Sequence, residues 1–479
     1  MKKLAEDRRV PSRDVERELR GALFNDARLS ARLVAVGLDL CASPGSGLPE
    51  AMGNASRLAG AYRLLSNERV TPDKLLQPHV SQTFRRILER GEALAVHDTT
   101  EMEFGGEREG LGALSSGSRQ GFFMHLTLAV TSDGTRQPLG TLAQRTWVRP
   151  DKPQGKAKGK RLNGQASSAR PERESRRWTE QVEEVERDKP DGVSLIHVGD
   201  RETDAFEVHQ AVHSRRFVLR ANHDRRVFHD DLAMHLRQAC QSVPVVMTFE
   251  VPVSARLARR QPGTAKTHPT REARIAQVAV RALTVSLREP YERRGISLQV
   301  NVVHVREMDT ADGDDPVDWV LYTSEAIDTP QALQRVIDLY RARWVIEEFF
   351  KALKTGCEVQ SLQLETYDAL RNGVAIHLPI AWQLLLLRSL GRVQHDAPAE
   401  CALTATQLQV LRAFSKQPLA PRLTVGQAML AVAIMGGYLH RPTRDPGWIT
   451  LGRGMRRLID YERGWNAALA THAPRPEEV

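Results

Sequence analysis

The sequence has few of the features that mark secreted or metal-stapled proteins. Its 479 residues include only four cysteines, Cys41, Cys240, Cys357 and Cys401. They are far apart and lack the spacing of a zinc site or a disulfide framework, so reduced structural thiols are expected. Aromatic residues make up only 5% of the chain.

Long apolar runs are also missing. The most apolar stretch, residues 374–387, is interrupted by His377, Pro379 and Gln383 and is predicted to be too short to cross a bilayer. Charged residues follow Met1-Lys-Lys where a secretory signal would have an apolar core. We therefore expect a soluble cytoplasmic protein without a membrane partner.

The chain carries a modest excess of positive charge. Lysine and arginine total 68 against 59 acidic residues, which gives a net charge of +9. Such a balance suits a polyanionic partner, although many basic proteins bind no nucleic acid. The length is sufficient for two or three domains with a sizeable core.

One segment, residues 340–354, combines an apolar stripe with a row of polar side chains. At about 100° per residue, a continuous α-helix places Tyr340, Arg343, Glu347 and Lys354 within about 60° of one another. The same register turns Glu348 about 100° out of the row. A phenol, a guanidinium, a carboxylate and an ammonium in a row suit a site for metal ions and phosphates, whereas most charged helix faces are only solvated surface.

Two predicted strands end on aspartate. Residues 93–97 lead to Asp98, and residues 193–199 lead to Asp200, where Gly199 permits close approach. A lone aspartate after a strand is usually a turn or cap residue. Two of them, together with Glu347, supply three carboxylates, which is enough to hold a pair of divalent ions. His97 and His197 are predicted to point to the opposite face of the sheet, and we assign neither a role.

The pattern predicts three regions with different compositions. Residues 1–72 are expected to be helical, residues 73–370 alternate strands with helices, and residues 371–479 are expected to be helical. Within the middle region, residues 226–318 are rich in strand patterns and are interpreted as an inserted β-rich subdomain. Residues 152–177 contain nine basic and two acidic residues; we expect this segment to be disordered when free and to contact the DNA backbone.

These motifs together resemble a known family. Asp98-Thr-Thr, the run from Asp200 to Asp204 and the spacing Tyr340-x2-Arg343-x3-Glu347-x6-Lys354 look like the signature of DDE transposases. More narrowly, they resemble the IS-four insertion-sequence family, of the Tn-five (transposon-five) transposase type. The likeness extends to residues 26–34 and 60–67 near the start and to residues 436–439 and 446–455 near the end.

The resemblance implies an RNase H-like α/β core, a mixed sheet with flanking helices, between an N-terminal DNA-end-binding domain and a C-terminal dimerisation domain. It also implies a bacterial cut-and-paste enzyme that binds double-stranded DNA as a homodimer, cleaves it through a hairpin and inserts it by attack of a 3′-hydroxyl. Asp98, Asp200 and Glu347 would hold two Mg²⁺ ions, for which Mn²⁺ would substitute.

Further residues take roles from the same resemblance. Tyr340, Arg343 and Lys354 would bind phosphates near the cut, with Arg220 as an additional contact. Trp319 and Trp344 would stack on an extruded base, although buried tryptophan is commonly a packing residue. Near the start of the chain, the residues that would contact the transposon end are Arg28, Arg32, Tyr62 and Arg63.

Two other functions share parts of this pattern. A metal-dependent nuclease without strand transfer would need the same three acids. A non-catalytic DNA-binding regulator of transposition would keep Arg28 and Arg32 but would not need the acids. The row from Tyr340 to Lys354 and the two tryptophans favour the transposase, because neither alternative requires them.

Overall fold

The computed structural model describes most of the chain. The described residues are 15–43, 45–115, 119–149, 174–253, 255, 259–260, 267–268, 270–289, 295–309, 316–415, 417–439 and 445–472. Most of the basic segment 152–177 therefore lies outside the described residues.

Helices dominate both ends of the described chain. They are α1 (Val15–Leu19), α2 (Ala27–Ala42), α3 (Leu48–Met52), α4 (Ala55–Leu65), α5 (Pro72–Leu88), α6 (Glu174–Asp188), α7 (Phe206–Val212), α8 (Leu236–Ser242), α9 (Pro330–Ala342), α10 (Val345–Lys351), α11 (Tyr367–Val393), α12 (Ala405–Phe414), α13 (Val425–Met435) and α14 (Trp448–His472). Short polar side chains set several starting points: Asp26, Asn54 and Thr366 accept backbone N–H groups of α2, α4 and α11.

Strands occupy the middle of the chain. They are β1 (Glu92–Glu103), β2 (Gly112–Ala113), β3 (Gln120–Val130), β4 (Pro138–Trp147), β5 (Ser194–Gly199), β6 (Arg216–Arg220), β7 (Arg226–His229), β8 (Leu232–His235), β9 (Met247–Val253), β10 (Arg259–Arg260), β11 (Thr267–His268), β12 (Arg274–Arg288), β13 (Ser297–Glu307) and β14 (Asp318–Thr323).

One large mixed sheet organises the protein. Twelve strands take part, with the order β2-β3-β1-β5-β6-β14-β13-β12-β7-β8, while β4 pairs with β3 and β9 pairs with β12. The pairs β1–β5 and β5–β6 are parallel, and β1–β3 is antiparallel. The predicted mixed α/β architecture with flanking helices is confirmed.

The parallel pairing of β1 with β5 determines where the two aspartates lie. His97 is in register with Gly199, so Asp98 and Asp200 follow at the same level of the sheet, where β5 ends. The prediction that the first strand ends on Asp98 was wrong, because β1 continues to Glu103 and stays paired with β3 over that length. The same register places His97 beside His197, and their ring nitrogens are 2.9 Å apart. Both histidines are buried, and Thr127 and Glu186 take their remaining hydrogen bonds, so both point away from the aspartates as predicted.

The region predicted as an inserted β-rich subdomain extends the central sheet. β14 pairs with β6, β13 with β14 and β12 with β13, all antiparallel. These strands therefore continue the sheet that carries Asp98 and Asp200. A second apolar cluster, which includes Phe217, Tyr322 and Val302, lies on one face of this extension.

The helical N-terminal region packs onto α11 and the central sheet. One apolar cluster joins buried side chains from many parts of the chain, the first being Val15 and the last Leu458. It includes residues of both α2 and α11. The amide of Asn372 on α11 donates hydrogen bonds to the carbonyl oxygens of Leu65 (2.9 Å) and Val70 (3.1 Å). Glu18 on α1 is fully buried and pairs with Arg86 on α5 at 2.7 Å.

The helix α11 is longer than the sequence pattern predicted. It runs over 27 residues, and its length and apolar composition would allow it to cross a membrane. The prediction that this stretch is too short was therefore wrong, because Pro379 lies inside the helix without ending it. However, 83% of its most apolar window is buried inside the protein, as in the core helix of a globular domain.

Candidate active site

The segment that carries Tyr340, Arg343 and Glu347 is not one straight helix. α9 ends at Ala342, α10 begins at Val345, and a π-helical turn follows at Ala352–Gly356. Between the helices the backbone forms i to i+3 hydrogen bonds, from Arg343 N to Tyr340 O (3.0 Å) and from Glu347 N to Trp344 O (3.1 Å). Side chains three apart come to the same side in such tight turns, which suits the shared approach of Tyr340 and Arg343 to Asp200. The predicted continuous helix was wrong at this point.

The three predicted carboxylates meet around one guanidinium. Arg343 donates a hydrogen bond to Glu347 Oε1 at 2.7 Å, and its nitrogens lie 3.6 Å from Asp98 Oδ2 and 3.6 Å from Asp200 Oδ2. Arg343 is only 7% exposed. The neighbouring strands β1 and β5 and the break between α9 and α10 therefore bring together three acids from distant parts of the sequence.

A tight turn fixes Asp200 at the end of its strand. The residues after Asp200 form a short 3-10 helix, and Thr203 donates its amide to Asp200 O at 2.9 Å. A Cβ on Gly199 would lie 2.2 Å from Thr203 Cγ2, so only glycine leaves room for this turn. The close approach expected of Gly199 is thus made to its own turn.

The three carboxylates have different proton affinities. Burial raises the pKa of Asp98 to about 7, in spite of the opposing charge of Arg343, and the charges of Glu202 and Glu347 add to the increase. Burial also raises the pKa of Glu347, which Arg343 only partly offsets. For Asp200 burial acts in the same direction, but Arg343 and Arg220 outweigh it and hold the pKa below its usual value. Crowded acids of this kind favour a bound cation.

Tyr340 and Arg220 complete the polar wall next to Asp200. The Tyr340 hydroxyl donates to Asp200 Oδ1 at 3.2 Å and accepts a hydrogen bond from Arg220 Nη1 at 3.1 Å. Arg220 Nη1 is itself 3.6 Å from Asp200 Oδ1. Burial raises the pKa of Tyr340 to about 12, so the phenol keeps its proton. Arg220, which the sequence supported only weakly, belongs to the centre of the cluster.

The side chains of Lys354 and Glu348, near the end of this segment, contact different parts of the protein. Lys354 Nζ donates to Thr100 Oγ1 at 2.7 Å, two residues beyond Asp98 on β1. Burial lowers the pKa of Lys354, while Glu101 raises it. Glu348 instead pairs with Arg388 on α11 and with Lys351 at 2.9 Å. Glu347 therefore faces the aspartates and Glu348 does not, in agreement with the predicted register.

The two tryptophans differ in their surroundings. Trp319 is half-buried on β14, and its ring centre lies 5.6 Å from that of Tyr340. Trp344 is 54% exposed at the break between α9 and α10, with Lys351 Nζ 5.6 Å from its ring centre. Trp344 is therefore the more accessible of the two for stacking, whereas Trp319 packs at an angle of 59° to the ring of Tyr340.

The N-terminal candidates form a separate surface. Arg28 and Arg32 lie one turn apart on α2, and Tyr62 and Arg63 lie on α4. Arg28 and Arg63 are exposed, while Tyr62 packs partly against the core. A Cβ on Gly60 would be 3.5 Å from Arg32 Nε, which places that guanidinium against α4. Among the described residues no contact joins these four side chains to the carboxylate cluster.

Sequence reasoning missed two participants. Glu202 acts electrostatically on Asp98, and Thr100 anchors Lys354. Both belong to motifs that the sequence displays, the run from Asp200 to Asp204 and Asp98-Thr-Thr. The motif boundaries were visible, but the partners of these residues depend on how β1, β5 and the π turn come together.

The described residues contain no group of three or more histidine, cysteine or acidic side chains close enough together to hold a metal ion. The three acids instead share Arg343, at 2.7 to 3.6 Å. Their oxygen atoms are nevertheless directed at a common positive charge, and hard oxygen donors are the ligands that Mg²⁺ prefers. The chemistry of these three side chains therefore suits a divalent ion, whereas their arrangement in this structure is set by Arg343.

Comparison with protein families gives two matches. A transposase DNA-binding domain matches residues 13–70, which include α2 and α4. A transposase DDE domain matches residues 141–382, which is just over half of the chain. The chain belongs to the DDE transposases. The longer match includes Asp200 and Glu347 but not Asp98, which the fold of this DDE transposase supplies from β1.

Proposed function

We propose that this DDE transposase is a cut-and-paste enzyme of the IS-four, Tn-five-like type. It binds the terminal inverted repeats of its element, excises the element through a hairpin intermediate and joins the freed 3′-hydroxyl to target DNA. The observation that carries the proposal is the convergence of Asp98, Asp200 and Glu347 on buried Arg343, with Tyr340, Arg220 and Lys354 around them.

Asp98, Asp200 and Glu347 would hold the divalent ions, Mg²⁺ with Mn²⁺ as a substitute. When bound, such ions activate the attacking oxygen and neutralise charge on the leaving oxygen of a phosphodiester. The raised pKa of Asp98 and the raised pKa of Glu347 make these two groups the ones that gain most from a nearby cation.

The cationic and phenolic side chains would bind the DNA strand. Arg343 is suited to bidentate contact with a phosphate, and Lys354 acts as a point charge. Tyr340 donates its proton as a hydrogen bond and holds Arg220 in place. DNA phosphates would compete with the carboxylates for Arg343, so strand binding and exposure of the acids are coupled at this residue.

The N-terminal surface of Arg28, Arg32, Tyr62 and Arg63 would bind the transposon end. Phosphate contacts from arginine position DNA without reading its sequence. We further propose that the active form is a homodimer that holds two ends together, with dimer contacts in residues 371–479. The enzyme would act in the bacterial cytoplasm, associated with the nucleoid through its DNA substrate.

A strand-transfer assay tests the function. Purified protein is incubated with Mg²⁺, a precut duplex that carries the element end with a 3′-hydroxyl, and a supercoiled target plasmid. We expect the duplex to become covalently joined to the plasmid, which a 3′-dideoxy end would prevent. Cleavage of DNA without joining would indicate the hydrolytic nuclease, and binding without either reaction would indicate the non-catalytic regulator.

Trp319→Ala is expected to lower hairpin yield by about 10- to 100-fold while the first nick persists. Stacking of a base on an aromatic ring contributes about 1–3 kcal/mol, and the Trp319 ring lies beside Tyr340, which contacts Asp200. Nicked and hairpin products are quantified on a denaturing gel. Trp319→Phe, which keeps a flat ring, should restore most of the yield; equal yields from the wild type and Trp319→Ala would remove Trp319 from the mechanism.

A further inference from the structure

A polar cavity lies at the strand ends that carry Asp200 and Arg220. Its volume is about 240 Å³, and it is lined by Arg201, Ala221, Asn222, His223, Leu236, Arg237, Asp318 and Val320. Three residues of the active site are followed or flanked in the chain by members of this lining: Asp200 by Arg201, Arg220 by Ala221, and Trp319 by Asp318 and Val320. Because neighbouring strand residues point to opposite faces, the cavity opens on the other side of the strand ends from Trp319.

The wall of this cavity is held in place by Asp204, the last acid of the Asp200 motif. Asp204 is 6% exposed, and its Oδ2 accepts the backbone amides of Asn222 at 2.7 Å and His223 at 2.8 Å. Its other oxygen pairs with Arg225 and with His209. Burial raises the pKa of Asp204, but His209, Arg225 and the two amides hold it at about 2, so this anchor stays charged.

The charges that face the cavity leave one cation without a partner. Asp318 is already paired with Arg237 and with His304 at 3.1 Å. Arg201 is exposed, and its guanidinium has no hydrogen-bond or ion-pair partner among the described residues. The lining therefore presents the guanidinium of Arg201, with the side chains of Asn222 and His223, which are 3.4 Å from each other, beside it.

The chemistry of the lining points to a phosphate rather than a base. Among the described residues that line the cavity there is no phenylalanine, tyrosine or tryptophan on which a base would stack. The volume is smaller than the roughly 300 Å³ at which pockets for whole small molecules begin. A single backbone phosphate with part of its sugar fits both the size and the donors.

We propose that this cavity binds a backbone phosphate of DNA next to the position of cleavage, with Arg201 as its principal contact and Asp204 as the residue that positions its wall. The proposal rests on the proposed function, since DNA is the substrate there. Within the run from Asp200 to Asp204, Asp200 would be a metal ligand, Arg201 a phosphate contact and Asp204 the anchor of the cavity wall.

Salt dependence of DNA binding tests the cavity. Full-length protein is titrated into labelled duplex in EDTA at a series of KCl concentrations, so that cleavage does not enter. One lost phosphate contact lowers the slope of log K against log [salt] by about 0.9, and we expect this loss for Arg201→Gln. Arg422→Gln removes the same charge from an exposed position outside the cavity and should leave the slope unchanged.

A second variant tests whether the space of the cavity matters separately from the charge of Arg201. Ala221→Leu fills the space without a change of charge and should give a similar loss of slope. If Arg201→Gln matches Arg422→Gln, or if Ala221→Leu retains the wild-type slope, the proposal is overturned.

The source of the phosphate is read from the shape of the DNA. If Arg201→Gln lowers the salt slope only on linear duplex, the phosphate belongs to the element end. If the slope falls equally on a closed minicircle, the phosphate belongs to target DNA. Either pattern supports the cavity. Because these measurements exclude metal, failure here would leave the strand-transfer result standing, and failure of strand transfer would leave this binding result standing.

Discussion

Glu347→Gln is expected to abolish strand cleavage, with a rate loss of about 10³-fold or more, while DNA-end binding is retained. The change removes one of the three carboxylates that surround Arg343 and that would hold the divalent ions. Charge stabilisation by such ions contributes several kcal/mol to the transition state, and each 1.36 kcal/mol is about tenfold in rate. End binding should persist because Arg28, Arg32, Tyr62 and Arg63 form a separate surface.

The adjacent residue provides a matched control. Glu348→Gln makes the same chemical change one position along, but Glu348 pairs with Arg388 and Lys351 instead of facing the aspartates. We expect this variant to cleave at a rate near that of the wild type, with a lower melting temperature because a partly buried pair is weakened. Cleavage rates and gel-shift affinities are measured for both proteins. A dead Glu348→Gln protein with an active Glu347→Gln protein would show that the assignment of the helix face is wrong.

Glu18→Ala is expected to lower the free energy of unfolding by about 3–5 kcal/mol, because it leaves a buried charge without its partner. Glu18 is fully buried between Arg86, which donates at 2.7 Å, and His79. Arg86 also donates to the carbonyl oxygen of Leu139 at 2.6 Å, so the pair ties α1 and α5 to β4. Burial lowers the pKa of His79, which leaves Arg86 as the permanent counter-charge.

The pH dependence of this pair has a definite sign. Burial raises the pKa of Glu18, but His79 and Arg86 together outweigh it and lower the folded-state pKa below 4.5. The stabilisation is therefore present above the unfolded pKa and is lost as the pH falls through the folded value. Chemical unfolding of the wild type and Glu18→Ala at pH 7 and at pH 4 should show a smaller difference at the lower pH.

Glu16→Ala is the control on the same helix. Glu16 pairs with Arg20 at the surface, where such pairs contribute about 0–1 kcal/mol. We expect a change in unfolding free energy within that range. Equal losses for Glu16→Ala and Glu18→Ala would mean that the buried pair does not hold the N-terminal helices to the rest of the protein.

The parts of the site that sequence alone could indicate are those governed by local rules. Apolar runs that lead to an aspartate, together with the period of the helix, were enough to select Asp98, Asp200 and Glu347 over Glu348, although only β5 ends beside its aspartate and Asp98 lies inside β1. The parallel register of β1 and β5 then places the two aspartates side by side without further information. Side chains return to the same face every two residues in a strand and about every 3.6 residues in a helix, so the sequence carries this information directly.

Other features depend on contacts that no local pattern encodes. The break between α9 and α10 and the π turn at Ala352–Gly356 redirect Lys354 to Thr100, which an ideal helix does not predict. Arg220 joins the site only because β6 pairs with β5 and β14. The partners Glu18 and Arg86 are 68 residues apart in the chain, and only tertiary packing brings them together.

The most direct test of the account is the structure of the DNA ends that the protein makes. Wild-type protein is incubated with a plasmid that carries the DNA flanking its gene, with Mg²⁺ or with EDTA, and the ends are resolved on a denaturing gel. We expect metal-dependent double-strand breaks with hairpin-capped ends, which should be absent with Glu347→Gln. Nicks or open ends without hairpins, or binding without cleavage, would contradict it.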